Sequence, residues 1–201
     1  MLETSVRNDG TSFIFSRSIT KLEFMPRIEP LRSTEITPSI QEAFEKHTQE
    51  FNARITNMKS TMGKSLPVFD VYMRWYDLYN EVKEITGERN AYLFAHAVSL
   101  GSNCPLCTTF FRKIIIDHGE KPEELVLTGD EQTLLDFGSA IANNKGEVDT
   151  ELYNRIEQMY SEPQVITLVG FAGQMIATNI FNNVLQVQID DYLAPYIPLT
   201  R

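Results

Sequence analysis

Apolar positions recur at three- to four-residue spacing along most of this chain, and nowhere do they alternate with a period of two. That pattern predicts an all-α protein. Thr37-Pro38 supplies an N-cap and a proline suited to a first helical turn, and Ile40, Phe44, Phe51, Ile55, Met58 and Met62 then mark one long amphipathic helix stopped near Gly63. A second helix is predicted from Ser65-Leu66-Pro67 to Gly87, with Tyr72, Trp75, Tyr76 and Tyr79 as an aromatic stripe that reads as core or subunit contact. A third runs from Arg89 to Leu100, and a fourth opens at Pro105 and stops at Gly119. Thr128-Gly129-Asp130-Glu131 starts a fifth through Leu134, Phe137 and Ile141. Asp149-Thr150-Glu151 starts a shorter sixth, and Ser161-Glu162-Pro163 launches an apolar seventh that ends near Asn182-Asn183.

The flanks carry no period. Residues 1–24 read as an arm, with a brief Phe13-Ile14-Phe15 run. The prolines of Phe24 to Leu31 disfavour helical geometry in the residues before them, so that segment is expected to be extended. Tyr192 to Pro198 holds two prolines and is expected to lie extended over the surface. The organisation predicted is one helical domain over 25–201, of about seven helices, preceded by the arm.

A chain of 201 residues with 42% hydrophobic and 22% charged residues can bury one sizeable core, which excludes a disordered or fibrous class. The balance of 18 Lys+Arg against 27 Asp+Glu gives a formal charge of -9, which repels phosphate backbones and anionic lipid. Neither nucleic acid nor membrane is therefore an expected partner. The longest nearly uncharged apolar stretch, Val165 to Ala177, falls short of the roughly 18–20 residues of a bilayer span and reads as a buried helix. Met1 to Thr20 lacks the apolar centre of a secretory signal, so the expected compartment is the cytoplasm.

The two cysteines stand as Cys104-Pro105-Leu106-Cys107. A staple between positions so close would constrain almost nothing in the unfolded chain. Pro105 fits a first helical turn, with Asn103 or Cys104 as cap, which places Cys107 in that turn. Unpaired N–H groups and the positive end of the helix dipole favour a thiolate there, so the Cys107 pKa is expected to fall. Residues three apart share a helix face at a separation that a disulfide can close. The alternatives are two buried cysteines acting as small hydrophobes, and a zinc site. Zinc would need two further ligands from His47, His96 and His118, since there is no other cysteine; no metal is expected. His96, in the third helix, could approach the thiols if the helices fold back. His118 lies 11 residues beyond Cys107, about 16 Å along a helix, and reads as a C-terminal cap. His47 reads as a polar boundary position.

The run Ser102-Asn103-Cys104-Pro105-Leu106-Cys107 between two helices resembles the alkylhydroperoxidase D-like superfamily, also called the carboxymuconolactone decarboxylase-like family. Met25-Pro26-Arg27-Ile28, Leu127-Thr128-Gly129-Asp130-Glu131 and Ser161-Glu162-Pro163-Gln164-Val165 echo it in order, over roughly residues 25–193. The resemblance implies a helical bundle of that type, a homo-oligomer and no bound cofactor. It implies that Cys107 attacks a small hydroperoxide and Cys104 resolves the product as a disulfide, which a dithiol protein then reduces. The family's proton relay uses a histidine four positions after the second cysteine and a glutamate about a dozen before the first. Phe111 and Tyr92 stand there, with Asn90 the nearest alternative to the glutamate, so the expectation is either slow peroxide turnover or a substitute relay of His96 and Tyr92, four apart on one helix face. A non-enzymatic redox sensor or scaffold, and the lactone-acid lyase branch of the family, are the other functions compatible with the pattern.

Overall fold

The computed structural model describes residues 25–198; the arm predicted over 1–24 lies outside the described residues. Helix α1 (Pro38–Phe51) starts where the Thr37 hydroxyl accepts the Ile40 N–H at 3.4 Å. It does not run on to Met62. Asn52 takes left-handed geometry (φ 48°, ψ 42°), a conformation that asparagine tolerates better than most residues. After a five-residue connection Thr56 caps a separate short helix, α2 (Asn57–Met62). The apolar spacing of Phe51, Ile55 and Met58 continues across this break and conceals it.

The predicted second helix is likewise two: α3 (Leu66–Met73) and α4 (Trp75–Thr86) meet at Arg74, which keeps right-handed backbone angles (φ -64°, ψ -11°) while its N–H turns to the Tyr72 carbonyl. The bend keeps the aromatic stripe in the core, as expected. Tyr79 stacks on Phe171 at 5.6 Å between ring centroids, and Trp75 meets the same ring at 6.2 Å.

Helix α5 (Glu88–Gly101) is the centre of the molecule, with every residue from Ala91 to Ser99 buried. Helices α6 (Pro105–Asp117), α7 (Gly129–Asn143), α4 and α9 (Glu162–Leu185) pack around it, and α8 (Thr150–Met159) covers α7. The start signals read from sequence are made as hydrogen bonds. Thr128 and Glu131 form a reciprocal capping box, as do Ser161 and Gln164, and Asp149 caps α8. His118 is the C-cap of α6, its Nδ1 2.8 Å from the Ile114 carbonyl oxygen.

Helix α9 continues past Asn182-Asn183 to Leu185, and its 24 residues are long and apolar enough, by length and composition, to cross a membrane. This corrects the shorter apolar stretch read from sequence. In this fold α9 instead packs Leu168, Phe171, Ala172 and Met175 into the core. The C-terminal tail is not extended: Asp191–Tyr196 form a 3-10 turn that buries Leu193. Among the described residues there is no β-strand.

Close approach of α5 and α7 depends on Gly138, where a Cβ would lie 2.8 Å from the Phe94 ring. Gly138→Ala is expected to destabilise by about 1–3 kcal/mol through overpacking. Gly170→Ala on α9, where a Cβ would meet nothing within 4 Å, should be neutral or stabilising. Thermal unfolding of the two variants checks both; equal melting points would contradict the tight α5–α7 contact.

Candidate active site

Cys104 is the N-cap of α6, and its sulfur accepts the Cys107 backbone N–H at 3.4 Å. The preceding turn is held in place by α9. Asn103 is left-handed (φ 49°), and the Asn183 amide donates to the Ser102 and Asn103 carbonyls, both at 3.2 Å. One residue earlier on α9, the Asn182 amide donates to Cys107 Sγ at 3.2 Å and lies 3.3 Å from Met58 Sδ. The cysteines are therefore brought together, as expected, and both are free.

Their electrostatics differ from the sequence expectation. The hydrogen bond from the Cys107 thiol lowers the Cys104 pKa, burial opposes this, and the backbone N–H groups of Cys107 and Leu106 and the Asn182 amide lower it further. The same sulfur–sulfur hydrogen bond, burial and the Cys104 charge push the Cys107 thiol up. Helix-terminal N–H groups thus stabilise a thiolate on the capping sulfur, not on the one inside the first turn, and Cys107 is the proton donor between them. The expectation of a low Cys107 pKa is corrected on this ground. Of the two coupled thiols, Cys104 is the one that ionises first.

Both sulfurs are nearly inaccessible, Cys104 1% and Cys107 5% exposed. Only Cys107 lines the adjoining cavity of about 350 Å³. Its walls are Phe51, Trp75, Tyr76, Phe110, Phe111 and Met175, and the exposed Asn52 and Arg54 stand at its outer side. The break between α1 and α2 forms part of this wall, and Tyr192 and Leu193 of the C-terminal 3-10 turn close another part.

The cavity also contains Lys59, the one buried lysine among the described residues. Its ammonium donates to the Arg54 carbonyl at 3.0 Å and to the Tyr76 hydroxyl at 2.9 Å. Burial lowers its pKa to about 8, against an opposing effect of Asp190. Asp190, on the same wall, accepts the Asn57 N–H through Oδ1, while its buried Oδ2 has no hydrogen-bond partner. The sequence signal for Lys59 is its place four residues after Ile55, on the apolar side of the pattern. Asn182 was read only as a helix stop; an amide inside an apolar helix was the available signal.

The histidines do not reach the thiols. His96 is buried beside Arg112 and Glu123, and burial, with the Arg112 charge, lowers its pKa to about 4. It lines no part of the cavity. Tyr92 donates its hydroxyl to Glu120 at 3.0 Å, in a cluster held by Arg89, and its ring faces His118. The relay expected of His96 and Tyr92 is thus not assembled, because their face of α5 turns toward the far end of α6. His47 is no boundary residue. It is 3% exposed among Phe51, Phe69 and Tyr76, both ring nitrogens lack partners, and burial lowers its pKa to about 4. Among the described residues no three His, Cys, Asp or Glu side chains converge as a metal site.

The fold has counterparts among solved structures. A cysteine-to-alanine variant of the debrominase Bmp8 in complex with 2,3,4-tribromopyrrole superposes with a TM-score of 0.69 at 18% identity, covering 84% of this chain and 94% of that one. An uncharacterized peroxidase-related protein from Silicibacter sp. TM1040 gives 0.66 at 12% identity, covering 91% of this chain and 100% of that one. The fold is of the alkylhydroperoxidase D-like type. No family model matches the chain, nor does any curated protein sequence.

Asn182→Leu is expected to raise the pKa of both thiols, since it removes a donor to the ionised pair. Ultraviolet thiolate absorbance against pH checks this. The parent should show one thiolate below the ordinary thiol range near ~8.5 and the second above it; a single transition for two thiols would contradict this order of ionisation.

Proposed function

We propose that the protein is a thiol-dependent antioxidant oxidoreductase that reduces small hydroperoxides through Cys107 and Cys104. The observation that carries this reading is that Cys107 alone of the pair lines the cavity while its hydrogen-bond partner Cys104 caps the same helix. The Cys107 sulfur attacks the terminal peroxide oxygen, an S–O bond forms and the O–O bond breaks. Its thiol proton passes to the Cys104 thiolate along the existing hydrogen bond, and the alcohol leaves as an alkoxide that must acquire a proton. Cys104 sulfur then attacks the Cys107 sulfenic acid, an S–S bond forms and water departs. A dithiol protein supplies two electrons and two protons to restore the pair.

The peroxidase-related neighbour supports this chemistry by analogy of fold. Homo-oligomerisation, the other expectation from the resemblance, is supported by Ile166, Val169, Ile180 and Val184, which form an exposed apolar face on α9. A second reading is favoured by the aromatic cavity walls and by the debrominase neighbour: thiol attack on the halogen of a small bromoaromatic, with the ring carbon taking a proton and bromide leaving as Cys104 closes the disulfide.

Rapid thiol titration after one equivalent of an alkyl hydroperoxide distinguishes these. The parent should lose two thiols, Cys104→Ser one and Cys107→Ser none. Loss of thiols only with tribromopyrrole would favour the second reading, and inertness of all three proteins toward both reagents would leave a scaffold.

A further inference from the structure

We propose that Lys59 is the general acid of this cavity, protonating the alkoxide that leaves when Cys107 attacks a hydroperoxide; the inference rests on the thiol reading above. Three observations lead there. Phe111, which lines the cavity beside Cys107, cannot carry a proton, and Tyr92 is engaged with Glu120 outside the cavity. Lys59 and Cys107 line the same cavity and are linked through Met58 and Asn182, whose amide contacts both Met58 Sδ and Cys107 Sγ. An ammonium has three N–H donors, and among the described residues two are accepted, by the Arg54 carbonyl and the Tyr76 hydroxyl, leaving the third for a ligand oxygen.

Among the described residues no carboxylate binds the Lys59 ammonium directly, so its proton is not fixed in an ion pair. The groups that share the cavity with it or act on it are His47 from α1, Tyr76 from α4, Arg54 from the connection, Cys107 and Lys113 from α6, the latter paired with Asp117, and Asp190 and Tyr192 from the C-terminal segment. His47 is neutral above pH about 4, and burial of Tyr76 holds its hydroxyl protonated to about 12, so near neutral pH the lysine is the proton source of matched acidity. The charges balance. Cys104 thiolate and Lys59 ammonium before attack become Cys104 thiol and Lys59 amine after it, and the amine regains its proton from solvent before the next cycle.

A general acid is needed only when the leaving group is basic. An alkyl hydroperoxide expels an alkoxide, whereas a peroxyacid expels a carboxylate that needs no proton. Thiol loss should therefore be timed by stopped flow with tert-butyl hydroperoxide and with peracetic acid, for the parent, Lys59→Met and Lys59→Arg. Lys59→Met is expected to slow the alkyl hydroperoxide about 100-fold while leaving peracetic acid within about threefold. Lys59→Arg keeps a positive charge but cannot release a proton in this range, so it should not restore the alkyl rate. The parent's alkyl rate should fall as pH rises through about 8, because the ammonium donates only in its protonated form, and that limb should be missing in Lys59→Met.

Equal slowing of both oxidants in Lys59→Met, or full rescue by Lys59→Arg, would overturn the assignment while leaving the cysteine chemistry intact. A parent whose thiols react with neither oxidant would overturn both. The peracetic acid rate of each variant reports that the cysteine site is folded.

Discussion

Two buried thiols in one helical turn cannot both ionise readily, because the charge on the first opposes the second and neither is solvated by water. The start of α6 resolves this by dividing the tasks. Cys104 accepts the hydrogen bond of the Cys107 thiol together with helix-terminal N–H groups, so it is the thiol that ionises more readily. Cys107 keeps the proton and faces the cavity. Everything else at the site preserves that division: Asn183 fixes the turn that presents Cys104, Asn182 supports the sulfur of Cys107, and α9 carries both amides at the required spacing.

The cavity exists because the chain departs from regular helix beside it. The left-handed Asn52 ends α1 just after Phe51, and the connection that follows supplies the Arg54 carbonyl that receives the Lys59 ammonium. The bend at Arg74 lets Trp75 pack on the α9 core while its neighbour Tyr76 lines the cavity and receives the same ammonium. Burying a lysine without a carboxylate partner disfavours its charged form, and this lowers its pKa toward working pH, where a proton donor is most effective. The aromatic walls that impose this burial also exclude water from the sulfur they surround.

Much of this was legible in sequence, and the exceptions share a cause. Helices α5 to α9 announced themselves through caps and prolines that act locally, so Pro105, Thr128-Glu131, Asp149 and Ser161-Gln164 lie where expected. The breaks at Asn52 and Arg74 escaped because apolar spacing runs across them unchanged. The cysteine pair was visible from its spacing, but which sulfur holds the charge depends on the direction of N–H groups that only the folded turn defines. Lys59 and Asn182 are polar residues whose burial is decided by distant segments, and His96 failed as a partner because the rotation of α5 aims it at Arg112. Residues 1–24 lie outside this comparison.

The central claim is that Cys107 is the sulfur that meets the oxidant and Cys104 the one that resolves it. The most direct measurement is trapping of the sulfenic acid with dimedone in the Cys104→Ser and Cys107→Ser proteins after hydroperoxide, with the adduct located by peptide mass spectrometry. The account predicts an adduct on Cys107 in Cys104→Ser and none on Cys104 in Cys107→Ser. An adduct on Cys104 with Cys107 unmodified would contradict it.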